Sequence, residues 1–225
     1  IVGVDPAQNI CKIANRRGIP TINSFFDLKS VEKIVRKYGK AKIITGTNVF
    51  AHIHDLKKFL NNIKKLIDKK KGVLVIEVPY FLNLMKDLEY DTIYHEHLSY
   101  ITVIPLMKFL RKFNFEVIDI QEKDIHGGSI RIFISGKGNY NKKKSVDKIC
   151  KNEIKAKLNS KKILLNFKEK VKKNRLDLIS LLTRLKKENK NVVALSAPAK
   201  GMTLLNYTKL DSDFLDYATE KSKIK

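Results

Sequence analysis

Two cysteines, Cys11 and Cys150, are too few for a disulfide framework or a four-cysteine zinc site. That scarcity predicts a protein of a reducing, cytoplasmic compartment. No stretch reaches the roughly 18 uncharged apolar residues that a membrane-spanning helix requires. The opening residues, Ile1 to Asn9, have no basic segment ahead of an apolar one and do not read as a secretory signal. Neither a G-x-G-x-x-G nor a Walker pattern occurs in the 225 residues. Arginine is scarce too, at seven of the 46 basic residues. Nucleic-acid readers lean on arginine for forked contacts to bases and phosphates. Here lysine is spread along the chain instead, as in Lys69-Lys70-Lys71 and Lys142-Lys143-Lys144. The net charge of +23 therefore predicts a solvated lysine surface that attracts an anionic small substrate, rather than a nucleic-acid-binding module.

With 43% apolar and 31% charged residues the composition is globular, and the length suffices for one large domain or two small ones. Apolar runs at Ile1–Val4, Ile19–Ile22, Ala41–Thr45 and Val73–Val78 predict strands. The segments between them have helical spacing. One carries Ile10, Ile13 and Ala14 on its inner face and stops at Gly18. A second, over 28–38, uses Leu28, Val31, Ile34 and Val35. A third is capped by Asp55 and buries Leu56, Phe59, Leu60, Ile63 and Ile67. Leu106, Phe109, Leu110 and Phe113 mark a further helix. Two strands follow, Phe115–Ile120 and Ser129–Ile134, joined through His126-Gly127-Gly128. This order predicts the α/β class, with a doubly wound, Rossmann-like sheet. A first strand with a glycine-rich loop is expected ahead of Ile1, so the sheet is read as N-terminally truncated. Past a polar hinge near 137–145, residues 145–190 predict lysine-rich helix with Leu164, Phe167, Val171, Leu178, Leu182 and Leu185. A strand at Asn191–Leu195, the turn Ser196 to Gly201 and a helix through Leu204, Leu205 and Tyr207 complete a smaller unit. The predicted domains are 1–137 and 138–225.

In doubly wound sheets ligands meet the carboxyl ends of the strands. That directs attention to Asp5, Phe25-Phe26, Thr45 to His52, and Glu77 to Phe81. Asp5 suits the two hydroxyls of a ribose, or the start of a helix. Phe25 and Phe26 suit an adenine, or the core. Lys200 beside Gly201 suits a phosphate at a helix start, or a packing turn. All five histidines, His52, His54, His95, His97 and His126, fall within residues 52–126. His95 and His97 are two apart and no H-E-x-x-H spacing occurs, so no metal site is expected. His97 with Glu96 and Tyr94 supplies the groups for acid–base chemistry near neutral pH, the alternative being a structural loop.

Five segments, taken together, resemble a known family. They are Asn48-Val49-Phe50-Ala51-His52, Glu77-Val78-Pro79-Tyr80, Tyr94-His95-Glu96-His97-Leu98-Ser99-Tyr100, His126-Gly127-Gly128-Ser129-Ile130-Arg131, and Ala197-Pro198-Ala199-Lys200-Gly201 with Leu204-Leu205-Asn206-Tyr207. Their order is similar to that of sugar-nucleotide C-methyltransferases. Thr47 stands where that pattern has Asn, and Ser196 where it has Gly. The resemblance implies a class I, S-adenosylmethionine-dependent methyltransferase domain followed by an α/β domain that helps hold a sugar nucleotide, usually dTDP-linked. It implies zinc only in an N-terminal module that this sequence does not contain. It also implies His97 as the base beside a 4-keto group, supported by Glu96 and Tyr94, with His52 near the keto oxygen. Cofactor contacts would come from Asp5, Phe25, Phe26 and Asn48, and substrate contacts from Tyr80, Arg131 and Lys200. O- or N-methylation of a sugar or small molecule is the alternative chemistry on the same fold.

Overall fold

The computed structural model describes residues 1–220. Strand β1 (Gly3–Asp5) leads into helix α1 (Gln8–Arg16), then β2 (Thr21–Asn23), α2 (Leu28–Tyr38), β3 (Ile43–Thr47), α3 (Leu56–Leu66) and β4 (Val73–Pro79). Helices α4 (Phe81–Asp87) and α5 (Val103–Arg111) precede the hairpin β5 (Phe115–Lys123) and β6 (Ser129–Gly136). The rest is α6 (Lys144–Ala156), α7 (Lys161–Lys187), β7 (Val193–Leu195), α8 (Ala199–Thr208) and β8 (Tyr217–Thr219).

The helix ends follow local chemistry. Asp27 and Ser30 close a reciprocal capping box at the start of α2, and Asp55 accepts from the Lys58 N–H to start α3. On α1 the inner face is Cys11, while Ile10 and Ile13 point to solvent, contrary to the sequence expectation. The predicted helix over 145–190 is two helices, because Lys157 adopts a left-handed backbone that closes α6. Of the expected apolar stripe on α7, Val171 and Leu182 are buried, whereas Leu164 is exposed.

The strands form a four-stranded mixed sheet in the order β3-β4-β6-β5 and a two-stranded parallel sheet β1-β2, with β7 and β8 paired in parallel near the C-terminus. Strands β3 and β4 are parallel, and β6 runs antiparallel to both β4 and β5. Leu74, Ile76, Val78, Ile130, Ile132 and Ile134 form the sheet's buried centre, with α5 supplying Val103, Leu106 and Leu110. Val146 and Ile149 of α6 belong to the same core. A second cluster, Val31, Ile34 and Leu66, packs under Val2, Val4 and Ile22 on one side and Ala41 and Ile44 on the other. Both sheets therefore rest on one helical layer, although no described residue hydrogen-bonds β1 to β3. Among the described residues no helix is long and apolar enough to cross a membrane.

Candidate active site

The carboxyl ends of β3 and β4 turn into the segments that carry the histidines. After β3, Asn48 takes a left-handed φ of 55° and donates its N–H to the Glu77 carbonyl at 2.9 Å, which ties the turn to β4. A single 3-10 turn, Phe50–His52, follows, with Phe50 and Ala51 buried beneath it. The loop holding His97 is drawn onto this turn because the Ala51 carbonyl accepts from both Leu98 N–H (2.9 Å) and Ser99 N–H (3.2 Å). The loop leaves through Ile101, which bridges Tyr80 and accepts from the Phe81 N–H at 3.1 Å.

These ties bring the imidazoles of His52 and His97 to 4.9 Å between centroids. Tyr94 lies 4.6 Å from His97 and Tyr100 lies 6.5 Å from it, on the same scale. The Nδ1 of His97 is 2.8 Å from the Thr92 carbonyl oxygen. A carbonyl only accepts, so Nδ1 carries a proton, and in the neutral ring the lone pair is on Nε2. Burial pushes the Tyr94 hydroxyl above its usual range, and the charge of Glu96 adds to that. Burial raises Tyr100 as well, opposed by the Tyr94 backbone. Glu96 itself is exposed, and among the described residues no hydrogen bond or ion pair joins it to His97. Thr92, 2% exposed, contributes the carbonyl, while its Oγ1 is buried without a partner.

Two residues expected to meet substrate are held elsewhere. Tyr80 is buried and its hydroxyl donates to Glu153 Oε1 at 3.0 Å, so its polar end faces α6. Arg131 forks onto Glu77 Oε2 through Nε (2.8 Å) and Nη2 (2.7 Å). That pairing follows from the antiparallel register, in which Glu77 and Arg131 are directly opposite. Lys200, in the first turn of α8, reaches the His126 carbonyl at 3.5 Å, and its charge offsets the burial that raises Glu89. Gly127, at φ +79°, has a backbone that favours glycine, and a Cβ there would push the Glu89 carboxylate aside. The C-terminal helices dock beside this loop. Tyr90 donates to Asn174 Oδ1 at 2.8 Å and meets the Tyr207 ring at 5.5 Å.

At the two-stranded sheet, Asp5 Oδ1 accepts from the Ala7 N–H at 2.7 Å. Among the described residues no donor meets its Oδ2, which suits a carboxylate kept for two hydroxyls. Phe25 is 74% exposed and open to a planar ring. Phe26 is not, since it packs on Phe59 at 5.4 Å as part of the core. A hollow of about 390 Å³ opens at the opposite end of the four-stranded sheet, between Ile67, Phe113 and Phe115, and none of the expected site residues lines it.

The sequence reading did not single out Thr92, Ala51 or Glu153. Glu153 did leave a signal: it stands at the helical spacing of Val146, Ile149 and Cys150, an acid on an apolar stripe.

The class of protein follows from a family comparison. Residues 1–120 match the model of a methyltransferase domain. Residues 124–225 match that of a C-methyltransferase C-terminal domain. The chain belongs to the S-adenosylmethionine-dependent methyltransferase family and carries the C-terminal domain of its C-methyltransferase branch. It is 30% identical over 226 residues to the C-methyltransferase NovU of Streptomyces niveus, an alignment covering 100% of this chain and 54% of the relative. The chain thus spans about half the length of that curated relative. Among solved structures, a SAM-dependent methyltransferase of Anabaena variabilis is similar at 15% identity and TM-score 0.45, over 60% of this chain and 68% of that one. Magnesium protoporphyrin IX methyltransferase of Synechocystis, with bound SAH, is similar at 12% identity and TM-score 0.44, over 61% and 64%.

Proposed function

We propose that this protein methylates carbon beside the ketone of a nucleoside-diphosphate 4-keto-deoxysugar, with His97 as the base. The observation that carries the proposal is the orientation of His97, whose Nδ1–H is committed to the Thr92 carbonyl while Nε2 is free beside His52. A 4-keto group acidifies the adjacent C–H. His97 Nε2 takes that proton, and the Thr92 carbonyl, already bonded to Nδ1–H, favours the imidazolium that forms. His52 donates to the keto oxygen as negative charge develops there. Tyr94 stays a neutral phenol, because burial and Glu96 both oppose its ionisation, and is available as a second donor. Glu96 thereby acts on Tyr94 rather than on His97. S-adenosylmethionine, when bound, supplies an electrophilic methyl group. The residues present fit its nucleoside half: Asp5 Oδ2 for the ribose hydroxyls, exposed Phe25 for the adenine, and Asn48 at the end of β3. Lys200 and the surrounding lysine surface suit a diphosphate, whereas Arg131 is absorbed by Glu77 and Tyr80 by Glu153.

The test incubates the protein with a dTDP-4-keto-deoxysugar in D₂O, with and without S-adenosylmethionine, and reads the sugar by mass spectrometry. Deuterium should enter beside the ketone without methyl donor, and a product one methylene heavier should form with it. The His97→Ala variant should lose both by about 10²–10⁴-fold, while His54→Ala stays near wild type. A methyl group located on oxygen or nitrogen in the product's fragments would mean O- or N-methylation and overturn the proposal.

A further inference from the structure

The His97 loop runs from the 3-10 turn Tyr90–Thr92 to the start of α5 at Val103, and its exit is anchored on Tyr80 and Phe81. The first N–H groups of a helix need partners, and the residue before α5, Thr102, gives none through its side chain. They are met from another element. Glu153 of α6 accepts from Val103 N–H at 2.5 Å through Oε1 and from Ile104 N–H at 2.9 Å through Oε2. Its Oε1 also accepts the Tyr80 hydroxyl at 3.0 Å. A carboxylate only 4% exposed is costly to bury unless its oxygens are filled, and here three donors and the positive end of α5 fill them. Burial, then the Glu153 charge, pushes the Tyr80 hydroxyl far above its ordinary value, so it remains a donor.

Both members of the loop's exit anchor, the Tyr80 side of β4 and the start of α5, are therefore held by one side chain. That side chain lies within residues 124–225, matched by the C-methyltransferase C-terminal domain, whereas Tyr80, His97 and Val103 lie within 1–120. We infer that Glu153 is a positioning residue for His97, fixing the catalytic loop from the α6 side. The inference rests on the proposed role of His97 in its kinetic consequence, but not in its structural one. A misplacement of about 1 Å in a reacting group costs about 10²-fold in rate. Binding of sugar and cofactor, which Glu153 does not touch, should be spared.

The test compares wild type, Glu153→Ala and Glu153→Gln in the full chain, by steady-state kinetics and by amide hydrogen exchange without ligands. Glutamine keeps one accepting oxygen but turns an amide N–H₂ toward a donor, so it should rescue partly. Glu153→Ala should lower kcat about 10²-fold with KM changed less than about threefold. Exchange should quicken at residues 93–104 while β4 and β6 keep their protection, with Glu153→Gln between alanine and wild type. Unchanged exchange in the loop would overturn the inference. So would exchange rising equally in β4, β6 and the loop, because that is global destabilisation. If wild type transfers no methyl group, the functional proposal falls and the exchange pattern alone decides this inference.

Discussion

Replacing Arg131 with methionine distinguishes a structural ion pair from a substrate contact. Arg131 makes two hydrogen bonds to Glu77 Oε2, at 2.8 and 2.7 Å, and the Glu77 side chain is 4% exposed. Removing one partner of a fully buried pair costs about 3–5 kcal/mol, because a charge is left uncompensated. The Arg131 side chain is 39% exposed, so water takes up part of that penalty and about 2–3 kcal/mol is expected. For a chain of 225 residues each kcal/mol moves the melting temperature by about 2–4 °C, which gives a fall of about 4–12 °C. The assay is urea and thermal unfolding of Arg131→Met, Glu77→Met and the double variant. Most of the loss in Arg131→Met should be recovered in the double variant, since an apolar pair opposite each other on β4 and β6 suits the sheet. A cost below about 0.5 kcal/mol, together with a raised KM for the sugar nucleotide, would refute this reasoning and return Arg131 to the substrate.

Tyr80 sets an alkaline limit. Its folded-state hydroxyl holds the proton far above the ordinary value near 10, so above about pH 10 the unfolded state ionises first and stability falls as pH rises. Urea unfolding between pH 8 and 11 should show that slope, and Tyr80→Phe should flatten it. Asp5→Asn keeps an Oδ1 acceptor for the Ala7 N–H but removes the charge proposed to face a ribose. Titration calorimetry should then find S-adenosylmethionine bound at least about tenfold more weakly, with the melting temperature within a few degrees of wild type.

Local signals carried much of the fold. Asp27 and Asp55 marked helix starts because capping is a contact across three residues, and the apolar run of β4 could only be a covered strand. The outward turn of Ile10 and Ile13 was hidden, because helical spacing admits two phases and burial of Cys11 chose the other. The break at Lys157 was equally hidden: a left-handed lysine leaves no compositional mark. At the site, a strand end pointed to His52 and the histidine cluster to Tyr94 and His97, while only the family resemblance put them together. The fates of Arg131 and Tyr80 were not, since they depend on partners 54 and 73 residues away, brought together only by strand register and the packing of α6.

The single carbonyl of Ala51, which receives two N–H groups from the loop, sets how error propagates through the site. His52 is covalently next to that oxygen, and His97 is one residue before the first amide that grips it. A shift of the Phe50–His52 turn therefore carries both imidazoles in the same direction, as two tools mounted on one handle. Their separation is buffered against breathing of the sheet edge even when their absolute position drifts, so the alignment between the proposed proton acceptor and the proposed oxyanion donor should outlast small distortions elsewhere.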